Sequence, residues 1–157
     1  MLSIRPAKPE DVLAVLSLIR ELAAFEHLPV TMTKEVLLRD GFRAQPRFRV
    51  LMAEWDGELA GYALFFPFYS TFHGPGMFLE DLFVRETFRG KSIGGALLAR
   101  VAAIATQENC FALRWQVLDW NQPAIDFYKK LGADFLDEWK TVSLDGEPLQ
   151  RVAEGSK

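Results

Sequence analysis

A chain of 157 residues, half hydrophobic and a quarter charged, is long enough for one domain with a real core and too apolar to be disordered. Its net charge of −3 comes with no long basic run, which argues against a nucleic-acid partner, and no stretch reaches the ~20 uninterrupted apolar residues of a membrane span. Cys110 is the only cysteine, which excludes an intramolecular disulfide and a cysteine-built zinc site and fits a reducing, cytoplasmic setting.

Met1 to Asp11 lacks the apolar run of a signal peptide, and no repeat, linker or low-complexity tract divides the chain, so residues 1–157 read as a single domain. Leu2 to Arg5 is a short strand. Pro9-Glu10-Asp11 opens a helix, because proline suits a first turn and acids suit the positive end of the dipole. Val12, Val15, Leu16, Ile19, Leu22 and Ala23 recur at helical spacing as far as Phe25. Thr33 caps a second short helix, Lys34 to Arg39, ended by Gly41. Arg47 to Trp55 and Glu58 to Phe68 are strands joined by the hairpin signal Asp56-Gly57, with Pro67 expected to fray or bend the second. His73 to Gly76 is a loop, and Met77 to Val84 the next strand. Ile93 to Glu108 is a helix with Ile93, Leu97, Leu98, Val101 and Ile104 on one face. Ala112 to Leu118 is a strand, and Gln122 to Leu131 is a helix with Pro123 in its first turn and Gly132 past its end. Phe135 to Leu144 and Pro148 to Val152 complete the pattern as two strands around Asp145-Gly146. This order predicts a mixed α/β fold, not a doubly wound sheet.

The chemistry concentrates where the strand Leu79-Glu80-Asp81-Leu82-Phe83-Val84 runs into Arg89-Gly90-Lys91-Ser92-Ile93-Gly94-Gly95. A small-residue loop at a helix N-terminus offers unpaired N–H groups and a positive dipole end, which suits a pyrophosphate, and Arg89 and Lys91 add charge. Gly90-Lys91-Ser92 matches the end of a P-loop, but Arg85 stands where that motif needs its first glycine. His27 and His73 are the only histidines and lie in no ligand-spaced motif, so no metal is expected.

The stretch resembles the R/Q-x-x-G-x-G/A motif of the GNAT acetyltransferases. Arg89 opens it, Gly94 closes it, and Ser92 replaces the middle glycine, a departure the loop tolerates if Ser92 has a negative φ, its N–H still donating and its hydroxyl adding a donor. Leu22-Ala23-Ala24-Phe25-Glu26, Val117-Leu118-Asp119-Trp120-Asn121 and Asp126 to Ala133 extend the likeness over nearly the whole chain and resemble the diamine acetyltransferase group, the spermidine/spermine enzymes and their thialysine-acetylating relatives. The resemblance implies the GNAT fold, a central, mostly antiparallel sheet flanked by helices, with acetyl-CoA as co-substrate and a homodimer. It implies that Glu80 takes a proton from the amine through water and that Tyr128 protonates the departing sulfur. It implies that Leu82, Phe83 and Val84 pair with the pantetheine arm as an added strand, that Arg89, Gly90, Lys91, Ser92, Ile93, Gly94 and Gly95 hold the pyrophosphate, and that Asn121, Pro123 and Tyr128 flank the acetyl end. Glu26, Glu80, Asp81, Asp119 and Trp120 fall at substrate positions. Asp81 would point away from Glu80 in an ideal strand, but the family carries a bulge here that lets both acids reach the site.

Tyr69-Ser70-Thr71-Phe72 lacks the aspartate and tryptophan of the spermidine/spermine enzymes, and its Ser-Thr-aromatic run resembles the thialysine branch. The reading is therefore acetyl transfer to a small primary amine, a thialysine- or lysine-like amino acid or a short diamine. Polyamines, protein amines and a non-catalytic acyl-CoA sensor are the alternatives.

Overall fold

The computed structural model describes residues 1–155. The chain clusters into two compact units, Met1–Gln116 and the residues from Val117 on. The first carries a sheet of five strands: β1 (Leu2–Pro6), β2 (Arg49–Trp55), β3 (Glu58–Ser70), β4 (Gly74–Val84) and β5 (Leu113–Trp115), in that spatial order. The pairings β1–β2, β2–β3 and β3–β4 are antiparallel and β4–β5 is parallel. Its helices are α1 (Val12–Phe25, entered through a 3₁₀ turn at Pro9–Asp11), α2 (Lys34–Gly41) and α3 (Ile93–Gln107).

Strand alternation builds two apolar layers. Val50 and Met52 face one way with Tyr62, Leu64 and Phe83, and meet Val12, Val15, Leu16 and Leu18 of α1 and Leu37 of α2. Leu51 and Ala53 face the other way with Ala63, Phe65, Met77 and Leu79, and meet Ile93, Leu97, Leu98, Val101 and Ala105 of α3. A period of two on a sheet covered on both sides forces this division. Leu18, absent from the predicted stripe, is fully buried, while Ile19 and Leu22 pack at its margin. Thr33 Oγ1 accepts from the Val36 N–H, as a capping residue should. Asp56 and Gly57, at φ 51° and 83°, form the two-residue turn their sequence predicts.

Several boundaries depart from expectation. β3 runs straight through Pro67 to Ser70. Beyond Phe65 it has lost β2 and pairs with β4 alone, so proline lies on a local edge where its missing N–H costs no ladder bond. The predicted loop at His73–Gly76 is mostly strand, and Gly76 is required there because a Cβ would sit 2.3 Å from the Phe68 ring. β2 begins at Arg49 rather than Arg47, and β5 is three residues, not the expected Ala112–Leu118, because its ladder with β4 covers only Met77 to Leu79.

The second unit holds α4 (Gln122–Lys130) and α5 (Gly146–Ala153). The two strands predicted for Phe135–Leu144 and Pro148–Val152 do not form. Residues 133–145 hold no ladder, and 148–152 lie in α5. Local signals favour that helix: Asp145 precedes it, Pro148 falls in its first turn, and Arg151 Nη1 donates to Glu147 Oε1 at 2.6 Å, an i, i+4 pair. Strands without a partner would leave every ladder group unpaired.

Candidate active site

The decisive local feature is a bulge in β4. Leu64 pairs with Asp81 and the next residue, Phe65, pairs with Leu79, so Glu80 is an extra residue opposite none. One inserted residue reverses the alternation. Leu79 faces the α3 layer, and so do Leu82 and Val84, three and five residues on. Phe83 faces the α1 layer, and Asp81 shares that side through Tyr62. Glu80 and Asp81, which a regular strand would send to opposite faces, are thereby brought to one side.

Glu26, directly after α1, joins them. Burial raises the Glu80 carboxyl above its usual range, and the charges of Asp81 and Glu26 raise it further. Burial and the Asp81 charge do the same to Glu26. Asp81 is raised by burial, against which the Tyr62 hydroxyl, donating to Oδ2 at 2.8 Å, favours its ionised form. Among the described residues none of the three is ion-paired. Three coupled carboxylates with no cation form a patch that a positive ligand relieves. Among the described residues no group of three or more His, Cys, Asp or Glu side chains is arranged to hold a metal ion.

The bulge has a second consequence. The β4–β5 ladder ends at Leu79, immediately before it, so Leu82, Phe83 and Val84 keep β3 on one edge and, among the described residues, no strand on the other. An extended ligand can add there as a strand does. Beyond this edge Gly90 takes φ 78°, and α3 begins with Ala96 N–H donating to Ser92 C=O, so the amides of Ile93, Gly94 and Gly95 precede the first helical bond. Arg89 and Lys91 have no carboxylate partner among the described residues. Arg89 lies 5.0 Å from the Phe25 ring and donates through Nε to the Val84 carbonyl at 3.2 Å; Lys91 lies 4.8 Å from the Trp55 ring. The loop is thus cationic and lacks anions, the reverse of the acid patch. Its donors, charge and open edge fit a coenzyme A thioester.

An open cleft of about 430 Å³ separates the end of α1 from the end of β4, and Glu21, Phe25, Phe83, Arg85, Glu86 and Arg89 are among the residues that line it. Arg85 is committed within it. Its Nε and Nη2 meet Glu21 at 2.9 and 2.8 Å, and its Nη1 meets the Leu59 carbonyl at 3.0 Å.

Ser92 departs from expectation. Its φ is +59°, in the left-handed region, and its hydroxyl makes no cap bond. The loop has kept the backbone that a glycine would give it. A side chain in that conformation costs about 1–2 kcal/mol, against roughly 0.4–1 kcal/mol that glycine loses through the freer unfolded chain. Ser92→Gly should therefore raise Tm by about 1–4 °C; a lower Tm in a thermal melt would show that the hydroxyl contributes more than the backbone loses.

The remaining predicted residues lie in the second unit. Asn121 Oδ1 accepts from the Ala124 N–H at 3.4 Å as the N-cap of α4, and Pro123 occupies its first turn. Asp119 and Trp120 are exposed just before it. Tyr128 is half-buried on α4 with its ring 5.6 Å from that of Phe127.

Comparison with known proteins agrees with this geometry. Residues 15–133 match the profile of the acetyltransferase (GNAT) family. The chain belongs to the GNAT family. It is 39% identical over 96% of both chains to the thialysine N-epsilon-acetyltransferase of Sus scrofa, and 41% identical to an L-ornithine N5-acetyltransferase of Arabidopsis thaliana over 62% of this chain and 43% of that one. Its fold is similar to that of a predicted acetyltransferase from Clostridium acetobutylicum solved with acetyl-CoA, with a TM-score of 0.75 at 18% identity over 92% of this chain and 97% of that one. This GNAT protein is an acetyl-CoA-dependent N-acetyltransferase that acts on amines.

Three contacts around the predicted residues escaped the sequence: Tyr62 beneath Asp81, the Glu21–Arg85 pair in the cleft, and Trp55 beneath Lys91. Tyr62 sits inside an apolar run and reads as core, and the other two contacts join residues more than thirty positions apart.

Proposed function

We propose that this acetyltransferase acetylates the side-chain or terminal amine of a small molecule, a thialysine- or lysine-like amino acid or a short diamine. The observation that carries the reading is the gathering of Glu26, Glu80 and Asp81 at the β4 bulge, each raised by partial burial, Glu26 and Glu80 also by the charge of Asp81, and none ion-paired among the described residues. A compact ammonium offsets that charge. The thialysine relative, similar from end to end, supports the same substrate class.

Acetyl-CoA supplies the thioester carbonyl that the amine attacks. Glu80 takes a proton from the substrate ammonium, directly or through water, and Asp81 and Glu26 hold the cation. An alkyl ammonium near pKa ~10.4 surrenders its proton reluctantly at neutral pH, and a carboxylate raised toward the working pH is a better base than an ordinary one. The amide of Leu82 or Val84, the neighbours of Phe83 whose backbone groups face the open edge of β4, polarises the acetyl oxygen. Arg89, Lys91 and the amides from Ser92 to Gly95 hold the pyrophosphate, with Asn121 and Pro123 at the acetyl end and Asp119 and Trp120 at the amine. Tyr128 gives a proton to the departing sulfur. Residues 1–157 act as one acetyltransferase domain, a reading supported by a family match that crosses Gln116. The same reading carries a cytoplasmic homodimer, in keeping with exposed aromatic side chains such as Phe72.

The test is acetyl-CoA-dependent thiol release with thialysine, lysine, ornithine, short diamines, spermidine and peptide N-termini as acceptors. Turnover led by the small amino acids or diamines is expected. Equal turnover of spermidine and thialysine would overturn the preference. Silence across the panel with coenzyme A still bound would favour a sensor.

A further inference from the structure

Tyr62 sits in the middle of β3, opposite Phe83 of β4, and is 0% exposed among the apolar residues that α1 covers. A phenol in such a place needs a partner for its hydroxyl. The partner is Asp81, whose Oδ2 lies 2.8 Å away on the neighbouring strand. This is the one hydrogen bond either side chain makes among the described residues. A phenylalanine would fill the same volume without burying a polar atom, so the hydroxyl adds only its bond to Asp81. Burial and the charges of Asp81, Glu26 and Glu80 push the Tyr62 phenol far above its usual range, so it stays protonated and acts as a permanent donor.

We propose that Tyr62 is a positioning residue for the amine: its hydroxyl holds one oxygen of the Asp81 carboxylate and leaves the other to accept from the substrate ammonium. The inference rests on the reading of the acid patch as the amine site. A free aspartate rotates its carboxyl and, crowded by two other acids, prefers to take up a proton. A carboxylate fixed by a buried donor stays oriented and ionised. The charged groups facing Asp81 are Glu26 from the end of α1 and Glu80 beside it on β4, with Tyr62 from β3; no cation pairs with it among the described residues. The bulge makes this contact possible, because a regular strand running on from Leu79 through Glu80 would turn Asp81 to the α3 layer, away from Tyr62 on the α1 side.

The experiment is a double-mutant cycle of Tyr62→Phe and Asp81→Asn in the full chain, with thialysine as the amine. Tyr62→Phe should raise the KM for thialysine about ten- to a hundredfold, the worth of a hydrogen bond to a charged group, with acetyl-CoA Kd within about twofold. The acid limb of kcat/KM should move to higher pH, since Asp81 loses the bond that favours its charge. In the Asp81→Asn background the same change should alter KM less than about threefold, because the two act as one unit. A purely structural hydroxyl would lower Tm while leaving KM and the acid limb in place. That result, with Asp81→Asn still raising KM, would overturn the positioning role alone. An unmoved KM in Asp81→Asn would overturn the acid-patch reading and the positioning role with it.

Discussion

Glu80→Gln should lower kcat about 10²- to 10⁴-fold, the range of a lost general base, while leaving the fold at least as stable as it was. The amide keeps the shape of the side chain and its place in the bulge but cannot accept the ammonium proton. The stability half of the expectation follows from the sign of the carboxyl shift. Glu80 is raised above its usual 4.5, by burial first and then by Asp81 and Glu26. Below about 4.5 both folded and unfolded chains hold the proton and nothing is lost. As pH rises from there, the unfolded chain releases its proton first, so the folded state grows less stable until the pH passes the raised folded value. At pH 7 the ionised patch is therefore a net cost to the fold, and replacing one acid by a neutral amide removes part of it. A thermal melt at pH 7 should place Tm of the variant at or above wild type, and its kcat should lack the acid limb expected of the wild type. A normal kcat would remove Glu80 from the base role. A collapsed Tm would show that the patch supports the fold rather than straining it.

What was legible in the sequence was mostly local. Thr33 before a helical run, Asp56-Gly57 between two strands, and the helical spacing of Ile93, Leu97, Leu98 and Val101 each state their structure within a few residues. The resemblance added the bulge, which no periodicity reveals, because Leu79-Glu80-Asp81-Leu82 alternates poorly on either face. What escaped depends on partners distant in the chain. Tyr62 matters only because the register of β3 against β4 sets it beside Asp81, nineteen positions on. Ser92 takes a positive φ against the preference of a residue with a side chain, because the loop between β4 and α3 overrides that local preference. Pro148 to Val152 reads as a strand around the turn signal Asp145-Gly146, yet Asp145, Pro148 and the Glu147–Arg151 pair describe a helix start, and that is what forms.

Tyr128→Phe should reduce kcat by about 10²-fold, the lower end of the range for acid catalysis, and leave acetyl-CoA Kd nearly unchanged. The modest size follows from the leaving group. A thiol of pKa ~8.5 departs with little help at neutral pH, whereas an ammonium of pKa ~10.4 must lose a proton before it can attack. The acid should therefore matter less than the base, and Tyr128→Phe should fall short of Glu80→Gln. The substitution keeps the ring that packs 5.6 Å from Phe127 on α4, and it leaves the Asn121 cap and Pro123 in place, so lost turnover with an unaltered melt isolates the hydroxyl. The comparison is sharpest when the sulfur is varied. An acetyl thioester of a more acidic thiol needs less protonation and should recover turnover in Tyr128→Phe but not in Glu80→Gln. Equal recovery in both variants, or unchanged kcat in Tyr128→Phe with acetyl-CoA itself, would remove Tyr128 from the acid role and leave the sulfur to be solvated by water.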